Sequence, residues 1–405
     1  MTMATASERN HDPRHFSGLD LVRGLAALAV LVYHVDFMFG QRKTLLSGGY
    51  TAVDLFFILS GFVIAATYEA AVVSGRIDFW GLAKRRFARL YPLYLATTVV
   101  GIFVMTARFR ANFGYLDAPA LLVSAIANLF FLPTPTPVYG GETLFPYNAA
   151  SWSIFYELVV NAAFFVFFAR ARSSTLVCLW LLAGAGMIAT IVQFGGVDVG
   201  WGTPNALAGF PRVCFSFLTG ALIWRAYQAR PWSVTPWLVV ALVTVHLGEM
   251  QARLWLPDAL KGWSDMGVVA LLLPAIVAAG VGARLGGLPD RGARLLGDVS
   301  YAVYLTQDAL IITVAGLTQS LMKAKIYDYS PWAGVIFVPV CLIESYLVFK
   351  FFEVPMRRSL RSVGRPRMAR ANPPLGAAVT KPRSTTNLAR LGEVSPIRHN
   401  DDGLP

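Results

Sequence analysis

The chain has 405 residues, of which 56% are hydrophobic and only 14% are charged. Soluble domains carry about 25% charged residues, so this composition excludes an ordinary soluble protein. The apolar residues come in blocks of about 20, the length of a helix that crosses a bilayer. The net charge of +12 would indicate nucleic acid in a soluble chain, but the basic residues fall in short loops and the tail, where they set membrane topology. We therefore predict an all-α, polytopic bundle of transmembrane helices that contacts membrane lipids and binds no nucleic acid.

Ten spans are predicted along the chain. They cover residues 19–39, 50–68, 90–105, 151–169, 174–194, 206–228, 234–250, 265–283, 297–321 and 333–353. Arginine and lysine are denser in alternate loops, above all between residues 84 and 89, which predicts that both termini are cytoplasmic. The three cysteines all lie in apolar segments, so the sequence indicates neither a disulfide framework nor a metal site.

One apolar stretch, residues 118–132, is short for a span, at about 22 Å as a helix. Counting it as a span would place Arg170 and Arg172 outside, so we predict a re-entrant or interfacial helix. The chain is then divided into a cytoplasmic N-terminal segment, one transmembrane domain and a basic, disordered cytoplasmic tail. These parts cover residues 1–18, 19–356 and 357–405.

The first span carries two residues that a lipid-facing helix should not have, Arg23 near its start and His34 well inside it. Eleven residues of helical rise separate them by about 16 Å, and the rotation leaves both side chains on nearly the same face. Ionisable groups inside a spanning helix are candidates for function. The alternative is that Arg23 is an interfacial anchor and His34 a hydrogen-bonded packing residue.

Two carboxylates also fall inside predicted spans. Asp54 lies near the start of the second span, where it could orient the ring of His34 or cap its own helix. Glu157 lies about one and a half turns into the fourth span, so it must either pair with another group or face an aqueous cavity. The sequence does not separate these alternatives.

A dense cationic patch precedes the third span, where Arg86 and Arg89 are neighbours on one helical surface. Such a patch suits phosphate groups, although a basic cytoplasmic loop of any membrane protein can look the same. In the ninth span a stripe that includes Tyr301, Tyr304 and Gln307 is predicted to face inward rather than toward lipid.

Six short segments, taken in chain order, resemble the acyltransferase 3 family of bacterial polytopic membrane proteins. They extend from residue 19 to residue 355, so the resemblance covers nearly the whole chain. The segments are Arg23 with ten residues before His34, VDLFFILSGF around Asp54, RFAR followed by LYPLY, WSIFYE, SYAVYLTQ around Tyr301, and FEVP.

The resemblance implies an enzyme of the bacterial inner membrane that moves an acyl group, usually acetyl, from acyl-coenzyme A to a hydroxyl of a surface or exported glycan, free or lipid-linked. His34 is then the candidate general base, with Asp54 and Glu157 as its orienters or as ligands of the acceptor hydroxyl. The candidate ligands of the coenzyme A phosphates are Arg23, Arg86 and Arg89. The candidate substrate-binding residues are Trp152, Ser153, Tyr301 and Tyr304. Members of the family often have His at the position of Gln307. A Gln side chain cannot act as a base.

A second hypothesis is a proton-coupled transporter or exporter of a polar small molecule. In it His34, Asp54 and Glu157 would form a proton relay. No pair of Gly- or Pro-broken spans is seen to recur in matching halves of the sequence, which speaks against a transporter core.

Overall fold

A computed structural model describes residues 15–40, 45–112, 118–134 and 142–363, and within these ranges every regular element is a helix. The predicted all-α polytopic bundle is thereby confirmed, whereas the cytoplasmic placement of the termini stays a prediction. Most of the predicted N-terminal segment and nearly all of the predicted tail lie outside the described residues. The helices are α1 (Ser17–Val35), α2 (Ala52–Val73), α3 (Phe79–Asn112), α4 (Ala118–Leu129), α5 (Ser151–Ala163), α6 (Ser173–Phe194), α7 (Gly209–Ala229), α8 (Pro236–Ala252), α9 (Asp258–Gly267), α10 (Leu273–Gly282), α11 (Gly287–Met322), α12 (Trp332–Val348) and α13 (Val354–Val363).

In the described part of the chain, nine helical segments are long and apolar enough to cross a membrane. Several are built from an α-helix and an adjoining π-helical turn, as where α1 continues through Asp36–Gly40. The one predicted span that is not among these nine, residues 234–250, corresponds to α8, whose 17 residues give a length of about 25 Å. The nine segments are Ser17–Gly40, Gly49–Val73, Phe79–Ala107, Ser151–Phe168, Ser173–Phe194, Thr203–Ala229, Asp258–Gly282, Gly287–Met322 and Trp332–Leu360.

The start of α3 differs from the prediction. The helix begins at Phe79 rather than near residue 90, and the Asp78 carboxylate accepts a hydrogen bond from the Gly81 backbone N–H (2.8 Å) in its first turn. A carboxylate that accepts a hydrogen bond from a free N–H at a helix start is a common capping arrangement. This cap stabilises a helix start within the segment that was predicted as a polar loop. Arg86 and Arg89 therefore lie inside a helix and not in a loop.

Helix α4 has 12 residues and is about 18 Å long, which is shorter than a bilayer core. It is held against the bundle through its backbone carbonyls. The Tyr91 hydroxyl donates to Leu129 O (2.9 Å), and the Tyr147 hydroxyl donates to Leu121 O (2.9 Å). A short helix tied to its neighbours in this way agrees with the predicted re-entrant or interfacial element.

Small residues bring the site-bearing helices close together. A Cβ added to Gly24 would lie 2.4 Å from the Cβ of Leu296, which places α1 directly against α11. A Cβ at Gly61 would lie 2.0 Å from Phe217 O, so α2 and α7 touch through their backbones. Small residues permit such approaches between membrane helices. These two contacts bring His34 of α1 toward α11, and Asp54 of α2 toward α7.

Candidate functional site

A cavity of about 130 Å³ lies between α1, α2, α3, α5 and α11. Seven of the ten residues that the sequence singled out line it, although they are far apart in the chain. These residues are Arg23, Arg86, Arg89, Ser153, Glu157, Tyr301 and Tyr304. The fold therefore collects most of the predicted binding residues around one space.

The cavity runs along the helix axes. On α2 its lining extends from Val53 to Ile64, a rise of about 16 Å. This matches the predicted axial separation of Arg23 and His34 on α1. Arginines lie at the end of the cavity near Arg23, and aromatic and hydroxyl side chains lie at the other end.

The arginine end brings four guanidinium groups together with several carboxylates. Four arginines line the cavity, Arg23, Arg86, Arg89 and Arg357, against the carboxylates of Glu157 and Asp298. Most of the arginines are already paired. Arg23 Nη1 lies 3.3 Å from an Asp20 carboxylate oxygen, Arg86 pairs with Glu157, and Arg357 pairs with Glu353.

Arg89 differs from these three, because it forms no ion pair with any of the residues that the structure describes. Its side chain is half-buried and lines the cavity. A guanidinium in this position is available to an anionic ligand without first breaking an internal pair.

Glu157 was expected either to pair with another group or to face a cavity, and it does both. Its Oε1 accepts a hydrogen bond from Ser60 Oγ (2.8 Å) and one from Arg86 Nη2. Arg86 is buried, with 7% of its surface exposed. Arg86 Nη2 is thus engaged by a carboxylate, and Arg86 orders this wall of the cavity together with Glu157.

The opposite end of the cavity presents a pair of buried hydroxyls. Ser153 Oγ and Tyr304 Oη share a hydrogen bond of 2.7 Å. The ring of Phe56 meets that of Tyr304 edge-on, with 5.6 Å between centroids. Tyr301 lies one turn nearer the arginines, and its hydroxyl donates to Leu90 O (2.6 Å). Three of the four predicted substrate-binding residues are therefore in the cavity wall.

His34 lies just beyond this hydroxyl end and is half-buried. Its side chain lies beside that of Gln307 of α11, which is fully buried. Gln307 Nε2 donates to Tyr304 O (3.1 Å), and the two residues are one helical turn apart, about 4.5 Å along the axis. The sequence marked both His34 and Gln307 but did not pair them, because nothing in it fixes how α1 is rotated against α11.

The carboxylate of Asp54 has partners other than those predicted. Both of its oxygens accept from Arg212, at 3.1 Å from Nε and 2.8 Å from Nη2, and Oδ1 also accepts from Ser216 Oγ (3.2 Å). It does not cap α2, whose N-terminus has no side-chain cap. Among the contacts of the described residues, none joins Asp54 to His34. Asp54 belongs to a buried ion pair outside the cavity.

Arg212 is the residue whose role sequence reasoning missed. Besides binding Asp54, it donates to Val199 O (2.9 Å) and Tyr50 O (3.0 Å). Its guanidinium carbon lies 5.3 Å from the centroid of Trp152, so the predicted substrate-binding Trp152 covers this ion pair and does not line the cavity. A signal was present in the sequence, because an arginine inside an apolar span needs a carboxylate at its own depth. Both Asp54 and Arg212 lie near the N-termini of their helices.

Comparison with known proteins places the chain in a family. The sequence model of the acyltransferase domain family, acyltransferase 3, matches residues 16–349. The putative peptidoglycan O-acetyltransferase YrhL of Bacillus subtilis is 25% identical over 384 residues, which are 87% of this chain and 56% of that protein. Peptidoglycan O-acetyltransferase OatA of Listeria monocytogenes is 23% identical over 380 residues, or 85% of this chain and 56% of that protein. Protein 2 in the picA locus of Rhizobium radiobacter is 34% identical over 194 residues, 45% of this chain and 97% of that protein.

The chain thus spans about half the length of the two O-acetyltransferases. No solved structure matches it. The family match covers most of the residues that carry the cavity, from Arg23 of α1 to Tyr304 of α11, and it confirms the family that the six sequence segments indicated. The chain belongs to the acyltransferase 3 family.

Proposed function

We propose that the protein is a membrane O-acyltransferase that moves an acyl group, acetyl in the first instance, from acyl-coenzyme A to a hydroxyl of a carbohydrate acceptor. The observation that carries this proposal is the cavity, whose arginines and buried hydroxyls are at opposite ends, with His34 one turn beyond the hydroxyls. The names of the relatives, peptidoglycan O-acetyltransferases of bacteria, support an acetyl group, a glycan acceptor and a bacterial inner membrane.

The arginine end suits the donor. Coenzyme A carries several phosphates on its nucleotide part, and guanidinium groups bind phosphate oxygens through charge-assisted hydrogen bonds. Arg89 contributes a guanidinium that forms no ion pair with the described residues, and the guanidinium groups of Arg23 and Arg357, each paired with a carboxylate, lie at the same end. The predicted topology places this end at the cytoplasmic face. The length of the cavity, about 16 Å, is comparable to the reach of the pantetheine arm that carries the thioester.

The hydroxyl end suits the transfer itself. His34 takes the proton of the acceptor hydroxyl as its oxygen attacks the thioester carbonyl. The C–O bond forms, the C–S bond breaks, and the proton passes from the imidazolium to the departing thiolate of coenzyme A. When Ser153 donates to Tyr304 Oη, the Tyr304 hydroxyl is placed to donate to the oxyanion that develops on the carbonyl.

The remaining candidates have supporting roles. Glu157, together with Ser60, holds Arg86 in the wall of the cavity. Asp54 and Arg212 stabilise the packing of α2 against α7. The transporter hypothesis is weaker for this reason, since a relay through Asp54 would have to break its buried pair with Arg212 each time a proton passes.

The test is acyl transfer by the purified protein in lipid nanodiscs. Acetyl-coenzyme A is supplied with a panel of glycan fragments, and both the free thiol of coenzyme A and the acetylated glycan are measured. The proposal predicts that, for at least one acceptor, the two products form in equal amounts. It also predicts that their rate of formation is well above the rate without acceptor. Binding of acetyl-coenzyme A with no transfer to any glycan of the panel would count against a carbohydrate acceptor, and no binding at all would count against the donor.

A further inference from the structure

Only one of the two polar atoms in the side chain of Gln307 forms a hydrogen bond with the described residues. Its side chain is fully buried. The amide nitrogen donates to Tyr304 O, one turn back in the same helix, at 3.1 Å. The amide oxygen is also buried but makes no hydrogen bond of normal geometry with the described residues. A buried acceptor without a close partner is costly, so such a group in a native protein calls for an explanation.

The orientation of this carboxamide follows from its partners. A backbone carbonyl can only accept, so the NH₂ group has to face Tyr304 O, and Oε1 has to point away from it. The neighbour on that side is the imidazole of His34, on the helix that the Gly24–Leu296 approach brings against α11. Hydrogen bonds between catalytic groups are often long before substrate binds and tighten in the reactive complex.

We propose that Gln307 is the positioning residue for His34, a role that rests on the proposed acyl transfer. Its Oε1 accepts the N–H of the imidazole nitrogen that faces α11. A neutral imidazole has a single N–H, so the other nitrogen is then left unprotonated and is the one that takes the acceptor's hydroxyl proton. The bond from Oε1 also fixes the plane of the ring and stabilises the imidazolium that forms.

The proposal needs a hydrogen-bond acceptor at residue 307 and not a base. Gln and His side chains can each accept one hydrogen bond from the ring of His34, although only His could also take a proton itself. The role is thus one of orientation and not of acid–base chemistry. It uses the same α1–α11 contact that the Gly24–Leu296 approach enforces.

The kinetic test compares three variants in nanodiscs. Gln307→Leu removes the acceptor while keeping an apolar side chain of similar length, and it should lower kcat roughly tenfold or more with the KM for acetyl-coenzyme A unchanged within a factor of about two. Gln307→His restores an acceptor and should recover most of kcat. Thr318→Val, on the same helix, removes a hydroxyl that bonds only within α11, to Val314 O (2.9 Å), and should behave like wild type. A wild-type kcat for Gln307→Leu, or a loss that Gln307→His does not repair, would overturn the proposal.

A second readout does not depend on activity. The chain has five histidines, and ¹⁵N-histidine labelling with a His34→Asn spectrum as the difference reference identifies the two ring nitrogens of His34. One tautomer should dominate in the wild type, and both should be populated in Gln307→Leu. An unchanged tautomer ratio would overturn the proposal even if kcat fell. If the wild type transfers no acyl group, the proposed function fails, while the spectra still decide the role of Gln307.

Discussion

The guanidinium of Arg212 binds both carboxylate oxygens of Asp54, and both side chains are completely shielded from solvent. The two residues are 158 positions apart in the chain. Removing one partner from such a buried pair leaves an uncompensated charge, whereas replacing both with apolar residues can be neutral. We therefore expect this pair to stabilise the packing of α2 against α7 and to take no direct part in the proposed transfer.

Replacing Arg212 alone should therefore destabilise the protein strongly. Arg212→Met leaves the Asp54 carboxylate buried and unpaired, and it should cost about 3–5 kcal/mol, measured by denaturant unfolding in detergent micelles. The double variant Asp54→Leu with Arg212→Met should recover most of that loss, and its activity should be close to that of the wild type. A double variant that is stable but inactive would show that the pair serves catalysis after all.

The close approach of α2 and α7 predicts a clear effect of one methyl group. In Gly61→Ala the new Cβ would lie 2.0 Å from Phe217 O, so the helices have to separate, at a cost of about 1–3 kcal/mol or more. Gly248→Ala in α8 is the matched control, since no atom lies within 4 Å of its added Cβ. That substitution should leave the stability unchanged or raise it by up to about 1 kcal/mol. Equal melting temperatures of the two variants would contradict the close packing.

Arg89 should dominate binding of the donor. Arg89→Gln removes a cavity guanidinium that has no ion-pair partner among the described residues, and the loss of charge-assisted hydrogen bonds to phosphate should weaken the binding of acetyl-coenzyme A about tenfold or more. Arg85→Gln is the control, because Arg85 is exposed on the same helix and does not line the cavity. Isothermal titration in nanodiscs measures both affinities. Similar affinities for the two variants would place the donor phosphates elsewhere.

The hydroxyl pair of Ser153 and Tyr304 should affect the rate of acyl transfer and not the affinity for the donor. Tyr304→Phe keeps the ring and removes one proposed oxyanion donor, which should lower kcat by roughly 10²-fold with little change in the KM for the donor. Tyr301→Phe provides the comparison, since its hydroxyl is already engaged by Leu90 O, and it should have a smaller effect on kcat. A larger loss in Tyr301→Phe than in Tyr304→Phe would contradict the proposed role of the Ser153–Tyr304 pair.

The sequence predicted the membrane architecture and most of the cavity for a simple reason. An ionisable or hydroxyl-bearing side chain inside an apolar span has to face the protein interior. Arg23, Glu157 and Tyr304 could therefore be recognised one at a time as inward-facing residues. Their spacing along each helix axis followed from helical rise alone. The resemblance to the family added the expected role of His34 as the general base.

Partnerships between helices could not be predicted in the same way, since they depend on which spans pack together and how each is rotated. Asp54 was expected beside His34, its neighbour along the chain, yet it pairs with Arg212 of α7. Trp152 packs against the guanidinium of this pair, although the adjacent Ser153 lines the cavity. The start of α3 was placed too late because the charged residues before Leu90 resemble a loop, although they continue the helix.

The central claim is that His34 takes the proton of the acceptor hydroxyl at the end of this cavity. The most direct measurement is the rate of acetyl transfer by purified His34→Ala in nanodiscs, together with the affinity of the same sample for acetyl-coenzyme A. Loss of a general base costs about 10²–10⁴-fold in rate, so we expect transfer to fall by at least about 100-fold while donor affinity stays at the wild-type value. Transfer by His34→Ala at a rate near that of the wild type would contradict the account.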